Sequence, residues 1–350
     1  MVATAKRLGR RAAAFFAITL SLGSGVIATK TGSPPDAPRV STRVGALKPL
    51  IRGLIDRHDI SPSSHFGAIQ AFVVQVRWAN LQPERGGPIV EGNAIDRALS
   101  QVRTLNRENP DLVLKIRLRV YAGIHAPEWM KNLGGQPLVA TNPANDLGST
   151  IGHFWTDGFG RAYLEFQTKL AARYDQALEI REVVIARCTT VFGEPFLRQI
   201  GDRATVEALL DAGFTPETDH RCHREEIDAH KVWTRTRSIS PSTPTKSYHD
   251  VCWTVASSAA QQVDEDFTED MMRYCRSALG GRCVLKNNFI GWLMQPAYEG
   301  LYASANQLSP PLAFQTTTKA RGRRPEADAQ VGSEAAGQFS RAFSRLRRLC

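Results

Sequence analysis

Residues 112–123 read LVLKIRLRVYAG, and they constrain the fold more than any other stretch of the chain. Leu112, Leu114, Ile116, Leu118 and Val120 fall on one side of an extended strand, while Lys115, Arg117, Arg119 and Tyr121 fall on the other. The segment AFVVQVRW (71–78) alternates in the same way, with Phe72, Val74, Val76 and Trp78 on the apolar side and Gln75 and Arg77 opposite. Between the two lies NAIDRALSQVRTLNREN (93–109), whose Ile95, Leu99, Val102 and Leu105 recur at helical spacing behind Asn93, a capping residue. A strand, a helix and a strand in succession make a parallel pair. Parallel sheets are covered on both faces, yet one row of each strand is charged. A barrel reconciles the two: apolar rows face a ring of helices, and polar rows point inward towards a site.

The alternation of elements continues. Helices are expected over 161–178, 204–213, the segment up to Trp233 and 265–281. Strands are expected over 180–190, 237–242, 283–292 and 312–317. About six strands interleaved with helices make a (β/α)8 barrel the economical fold, possibly incomplete at its first and last strands. The first strand is poorly defined in 35–65, and no eighth strand is evident after Thr318.

The ends read differently from the middle. Residues 1–34 carry a basic start, an apolar run from Ala12 to about Ala28, small residues and a Pro-rich linker, the layout of a secretory signal or membrane-targeting segment. Arg10–Arg11 before the apolar run is a loose match to a twin-arginine signal. The run is interrupted by Ser21, Gly23, Ser24 and Gly25, so no stable membrane span is expected after processing. The barrel is assigned to 35–318 and a basic segment to 319–350. The formal charge of +10 is concentrated at the two ends, so a nucleic-acid surface is not expected. The protein is expected to be secreted or associated with the cell envelope.

There are six cysteines. Cys275 and Cys283 flank a short loop with a Gly-Gly pair and are expected to be bonded. Cys222 with Cys252 is a second pairing to test. HRCH (220–223) with His230 resembles a metal cluster only faintly. No C-x-x-C pair accompanies it, and no metal site is expected. G-x-S-x-G, G-x-G-x-x-G and P-loop patterns are absent, so neither a serine hydrolase nor a nucleotide cofactor is indicated, and no cofactor is expected.

The segment TTVFGEPF (189–196) ends a strand by presenting Glu194 between a glycine and a proline. The carboxylate is either a turn residue paired with an arginine such as Arg198, or an acid placed for chemistry. VRWANLQPERGGPIVEGNAIDRALSQVRTLN and LKIRLRVYAGIHAPEWM resemble glycoside hydrolases of the large β/α-barrel clan, especially the β-galactosidase-like branch. Trp78, Pro83, Gly86, Asp96, Pro127 and Trp129 carry that likeness, which covers about residues 65–318. In such enzymes a Glu at the end of the fourth strand is the general acid/base. VVIARCTTVFGEP resembles that segment, and Glu194 is the matching residue. The family's nucleophile, a second Glu at the end of the seventh strand, has no match: PLAFQTTT places Gln315 there. Glu299 is the best spare carboxylate, ahead of Glu84, Glu128 and Glu334.

The resemblance implies a carbohydrate partner. Trp78, Tyr121 and Trp129 are candidate aromatic platforms, with Trp155, Trp292 and Tyr298 as further ones, and His125 is placed to bond a sugar hydroxyl. Arg77 and Arg119 in the inward row and Gln315 complete the candidate binding set. Two functions follow: a glycosidase using Glu194 and Glu299, or a carbohydrate-binding barrel that has lost the second carboxylate.

Overall fold

The computed structural model describes residues 45–57, 60, 68–142, 147–193, 203–241, 245–246, 263–290 and 296–316. In chain order the elements are β1 (Leu54–Asp56), β2 (Ile69–Arg77), α1 (Trp78–Leu81), α2 (Ala94–Glu108), β3 (Lys115–Tyr121), α3 (Glu128–Lys131), β4 (Leu138–Asn142), β5 (Leu147–Ile151) and α4 (Asp157–Tyr174). They continue as β6 (Ile180–Val184), α5 (Arg203–Asp211), α6 (Pro216–Ala229), β7 (Arg237–Pro241), β8 (Thr245–Lys246), β9 (Val263–Asp264), α7 (Glu265–Leu279), β10 (Cys283–Ile290), α8 (Pro296–Gln307) and β11 (Leu312–Thr316).

Among the described residues seven strands form one sheet in the order β1-β2-β3-β6-β7-β10-β11, and every neighbouring pair is parallel. Spatial order therefore follows chain order without reversal. A doubly wound sheet reverses its strand order and so gains helices on both faces. Right-handed crossovers that never reverse put all the helices on one face and leave the other to curl inward. The protein is an incomplete (β/α)8 barrel. The six expected strands are all present, and β1 falls within the stretch where the first strand was poorly defined. The antiparallel hairpin β4–β5, the small β8–β9 pair and helix α8 were not expected.

Side-chain rows follow the alternation. Phe72, Val74, Val76, Leu114, Ile116, Leu118 and Val120 are buried in one apolar cluster with Ile95, Leu99 and Val102 of α2 and Phe159, Phe166 and Leu170 of α4. On the inner face Val184, Ile239 and Val284 from β6, β7 and β10 form a separate small layer with Leu50 and Ala313. Arg117 and Arg119 are buried in the inner row as expected, whereas Arg77, the last residue of β2, is exposed. Arg117 meets Glu182 of the neighbouring strand at 2.7 Å, and both side chains are almost fully buried. Such a pair adds little over well-packed apolar residues, but losing one partner strands a charge.

Local signals set the helix ends. Asn93 caps α2, its side chain accepting from the amides of Ile95 at 2.7 Å and Asp96 at 3.4 Å, and its amide donates to Tyr174 Oη of α4 at 2.8 Å. Thr215 and Thr218 form a capping box for α6, with Pro216 at its first position. At the N-terminal ends of β6 and β7, buried Lys48 donates from Nζ to the carbonyls of Ala177 and Ile180 and to Thr236 Oγ1, all within 2.8 Å.

Two disulfides are present among the described residues. Cys275–Cys283 joins α7 to β10 as expected. Cys222 is bonded to Cys188, which corrects the Cys222–Cys252 pairing. The two residues are 34 positions apart, and only the docking of α6 on the end of β6 brings them together. Disulfides of this kind persist in oxidising compartments. No helix among the described residues is long and apolar enough to cross a membrane.

Candidate active site

In parallel barrels the loops at the C-terminal ends of the strands build the functional face. Here the stretch after β6 is held there at three points. Cys188 is tied to α6 by its disulfide. Thr190 accepts a hydrogen bond through its carbonyl from the amide of Ile124, at 3.0 Å, just beyond β3. That approach requires Gly123: its φ is +55°, and a Cβ there would lie 2.0 Å from the same carbonyl oxygen. Gly193 is the third point. A Cβ on it would lie 2.1 Å from the ring of Tyr121, so only a glycine lets the backbone pass over that ring.

Tyr121 is itself fixed. Its hydroxyl donates to Gln75 Oε1, and Gln75 Nε2 donates to the carbonyl of Arg57 at 3.0 Å. The His125 ring stands edge-on to Tyr121, with centroids 5.5 Å apart. Burial, and then the charges of Arg77 and Lys131, push the His125 pKa below its ordinary value, so the imidazole is neutral at pH 7. Trp129 is half-buried and donates from Nε1 to the carbonyl of Gln82 at 3.2 Å. Tyr121, His125 and Trp129, with Arg77 exposed beside them, form a rim of neutral donors and acceptors plus one guanidinium. Such a rim suits a hydroxylated ligand.

The other predicted residues are placed as follows. Trp78 is fully buried: its ring stacks on Phe166 at 4.5 Å and meets Trp129, Phe159 and Tyr163 edge-on. With no free face it belongs to the core, and Trp155 is buried as well. Arg119 is buried in the inner row below Tyr121. Glu194, Arg198 and Trp292 lie outside the described residues, as do Cys252 and Glu334. The backbone of Glu299 lies in α8 and that of Gln315 in β11. Glu84 is exposed, and Glu128 is paired with Lys131 at 2.7 Å. Across β3, β6 and β7 the inner row carries one carboxylate, Glu182, and Arg117 engages it.

The sequence reading singled out Gly193 as a turn residue before Glu194 but not its approach to Tyr121, and it missed the supporting roles of Gln75, Gly123 and Thr190. A signal for them was present. Gly123 follows β3 by two residues, and Gln75 pairs in register with Arg119 on the polar row that also holds Tyr121.

No family model and no curated protein matches the chain. Among solved structures it is similar to endoglycoceramidase II from Rhodococcus sp. in complex with a cellobiose-like imidazole, at 13% identity and a TM-score of 0.36. That match covers 71% of this chain and 65% of the other, so the chain spans just under two thirds of that protein. It is similar also to the catalytic domain of β-amylase from Paenibacillus polymyxa, at 10% identity and a TM-score of 0.42, covering 73% and 80% of the two chains. Morphinone reductase in complex with tetrahydroNAD is a further neighbour, at 13% identity and a TM-score of 0.36, covering 76% and 73%.

Proposed function

We propose that the chain is an exported glycoside hydrolase-like barrel that cleaves O-glycosidic bonds, with Glu194 as general acid/base. One observation carries this reading: the backbone leading into Glu194 is anchored at Cys188, Thr190 and Gly193, the last directly over Tyr121. A turn glutamate needs no such support. A carboxyl that protonates a leaving oxygen does, because proton transfer depends on placement within hydrogen-bond reach. The neutral His125 and the hydroxyl of Tyr121 supply hydrogen bonds to a sugar, and half-buried Trp129 supplies an apolar surface. Glu299 is the second carboxylate of the proposal, and the separation of the two decides between retention and inversion.

Glu194→Gln tests the reading. The variant is expected to fold and to bind oligosaccharide, and to lose about 10²–10⁴-fold in turnover of aryl glycosides. Substrates with good leaving groups, which need less protonation, lose least. A variant with lower thermal stability and unchanged specific activity would make Glu194 a structural turn residue.

A second reading is favoured by Gln315. It stands in β11 where the resemblance places the nucleophile, and a neutral amide does not form a glycosyl-enzyme intermediate. The chain is then a carbohydrate-binding barrel. Oligosaccharide binding without turnover, in a screen against aryl glycosides and polysaccharides, selects it.

A further inference from the structure

Helix α6 carries Asp219, Cys222, His223 and Glu226 at spacings of three, one and three residues, which gather on one helical face. That face meets Cys188 just beyond the end of β6. Cys188, Cys222, His223 and Glu226 are all at least 99% buried. One ligand atom each from Cys188, His223 and Glu226 lie within 4.8 Å of one another, and Cys222 Sγ is bonded to Cys188 Sγ. We propose that the Cys188–Cys222 disulfide closes a transition-metal site, and that its reduction opens a four-donor zinc centre made by Cys188, Cys222, His223 and Glu226.

The donors are already divided between holding and binding. Glu226 Oε2 accepts from the backbone amides of Arg187 at 2.7 Å and Cys188 at 3.0 Å, which fixes the carboxylate. Its Oε1 faces His223 Nδ1 at 2.7 Å. On the far side of the ring, His223 Nε2 lies 3.4 Å from Asp219 Oδ1. A carboxylate behind a histidine fixes the ring and raises its basicity when the other nitrogen binds metal. His223 thus lies between two carboxylates, Glu226 on its Nδ1 side and Asp219 on its Nε2 side. Two thiolates, an imidazole and a carboxylate are the soft-to-intermediate donors that zinc takes in tetrahedral geometry, and four protein ligands make a closed, structural centre.

The chemistry balances with a phosphine as reductant. A trialkylphosphine gives two electrons to the disulfide and becomes a phosphine oxide, taking its oxygen from water, whose two protons go to the two sulfurs. A divalent ion then displaces the protons of both thiols as its bonds to the two thiolates form.

The full chain is reduced with a water-soluble trialkylphosphine under nitrogen and titrated with Co²⁺, then Zn²⁺. The reduced chain is expected to take up one Co²⁺, with thiolate-to-cobalt absorption in the near ultraviolet and tetrahedral d–d bands in the visible, and Zn²⁺ is expected to abolish both. The oxidised chain is expected to show neither. Asp219→Asn, which keeps all four ligands, should weaken Co²⁺ binding about 10–100-fold. His223→Gln should abolish the tetrahedral spectrum, whereas Cys275→Ser with Cys283→Ser should retain it. The proposal is overturned by a reduced wild type without the bands, or by unchanged affinity in Asp219→Asn. Bands that disappear in a folded Cys275→Ser/Cys283→Ser chain, judged by far-ultraviolet circular dichroism, would place the metal elsewhere and overturn it equally.

Discussion

The two halves of the sheet are held to their helices by different means. Around β2, β3 and β6 one large apolar cluster runs through α2 and α4, and aromatic rings dominate it: Trp78, Phe159, Tyr163, Phe166 and Trp233. Around β10 the cluster facing α7 and α8 is smaller and built from Ile227, Met271, Met272, Leu279, Leu285 and Leu301 around a disulfide. Arg276 adds polar ties there, donating to the carbonyls of Cys283, Ser309 and Pro311. Flexible methionines fill space without fixing it. Where ring packing is thin, a covalent bond and a guanidinium locate the helix against the strand.

The largest expected effect lies in the first half. Trp78→Ala should cost about 3–5 kcal/mol in denaturant titration, because the ring is wholly buried between β2 and α4. Next comes the second half. Replacing Cys275 and Cys283 by serine opens a loop spanning eight residues and should cost about 2–3 kcal/mol. If the disulfide variant proves the less stable of the two, the ranking of the halves is reversed and the aromatic cluster is not the main anchor.

The smallest effect is a pH dependence, and it sharpens the comparison through two buried histidines. His230 packs beside Tyr163 of the first half, with Nε2 3.2 Å from the Tyr163 hydroxyl and Nδ1 3.1 Å from Ser238 Oγ. Burial alone pushes its pKa down to about 3. Below about pH 6.5 the unfolded chain therefore binds a proton that the folded chain refuses, and stability falls as pH falls, by about 2 kcal/mol at pH 5. His230→Gln should flatten that slope in unfolding curves taken between pH 7 and pH 5. His223, beside Phe267 of α7, behaves oppositely. Its folded pKa is raised, so its contribution is complete below about pH 6.5 and is lost as pH rises through the folded value. His223→Gln should accordingly lose more stability at pH 6 than at pH 9.

The barrel was legible because alternation is written over whole strands. Residues 71–78 and 112–123 declare both faces, and Asn93 marks the intervening helix. Short elements were less legible. In β4 and β5, LVATN and LGSTI hold too few apolar residues for a period to emerge, and α8 contains Gly300 within a weak pattern. Trp78 belongs to the helix-facing row that the alternation of 71–78 already gave it, and its place near a strand end made it look like a platform although four aromatic rings enclose it. Cys188 is separated from Cys222 by the whole of α5, and spacing alone does not determine connectivity. At the proposed site, the sequence placed Tyr121, His125 and Trp129 at or just after a strand end, and the structure has Tyr121 ending β3, with His125 and Trp129 in the turns that follow it. The contacts that Gly123 and Gly193 make were not legible, because they join β3 to the segment after β6 across tens of residues.

Strand order that follows chain order also bears on synthesis. A chain leaving the ribosome makes β2 before β3, and β3 before β6, so each new strand finds its hydrogen-bonding neighbour already made. Sheets that insert a late strand between two early ones must hold an open gap until that strand arrives. Here growth is by addition at one edge, with one crossover closed at a time, and the edge that receives the next strand is always the most recent one. The aromatic half is completed first. It stands ready as a template when the methionine-lined half emerges.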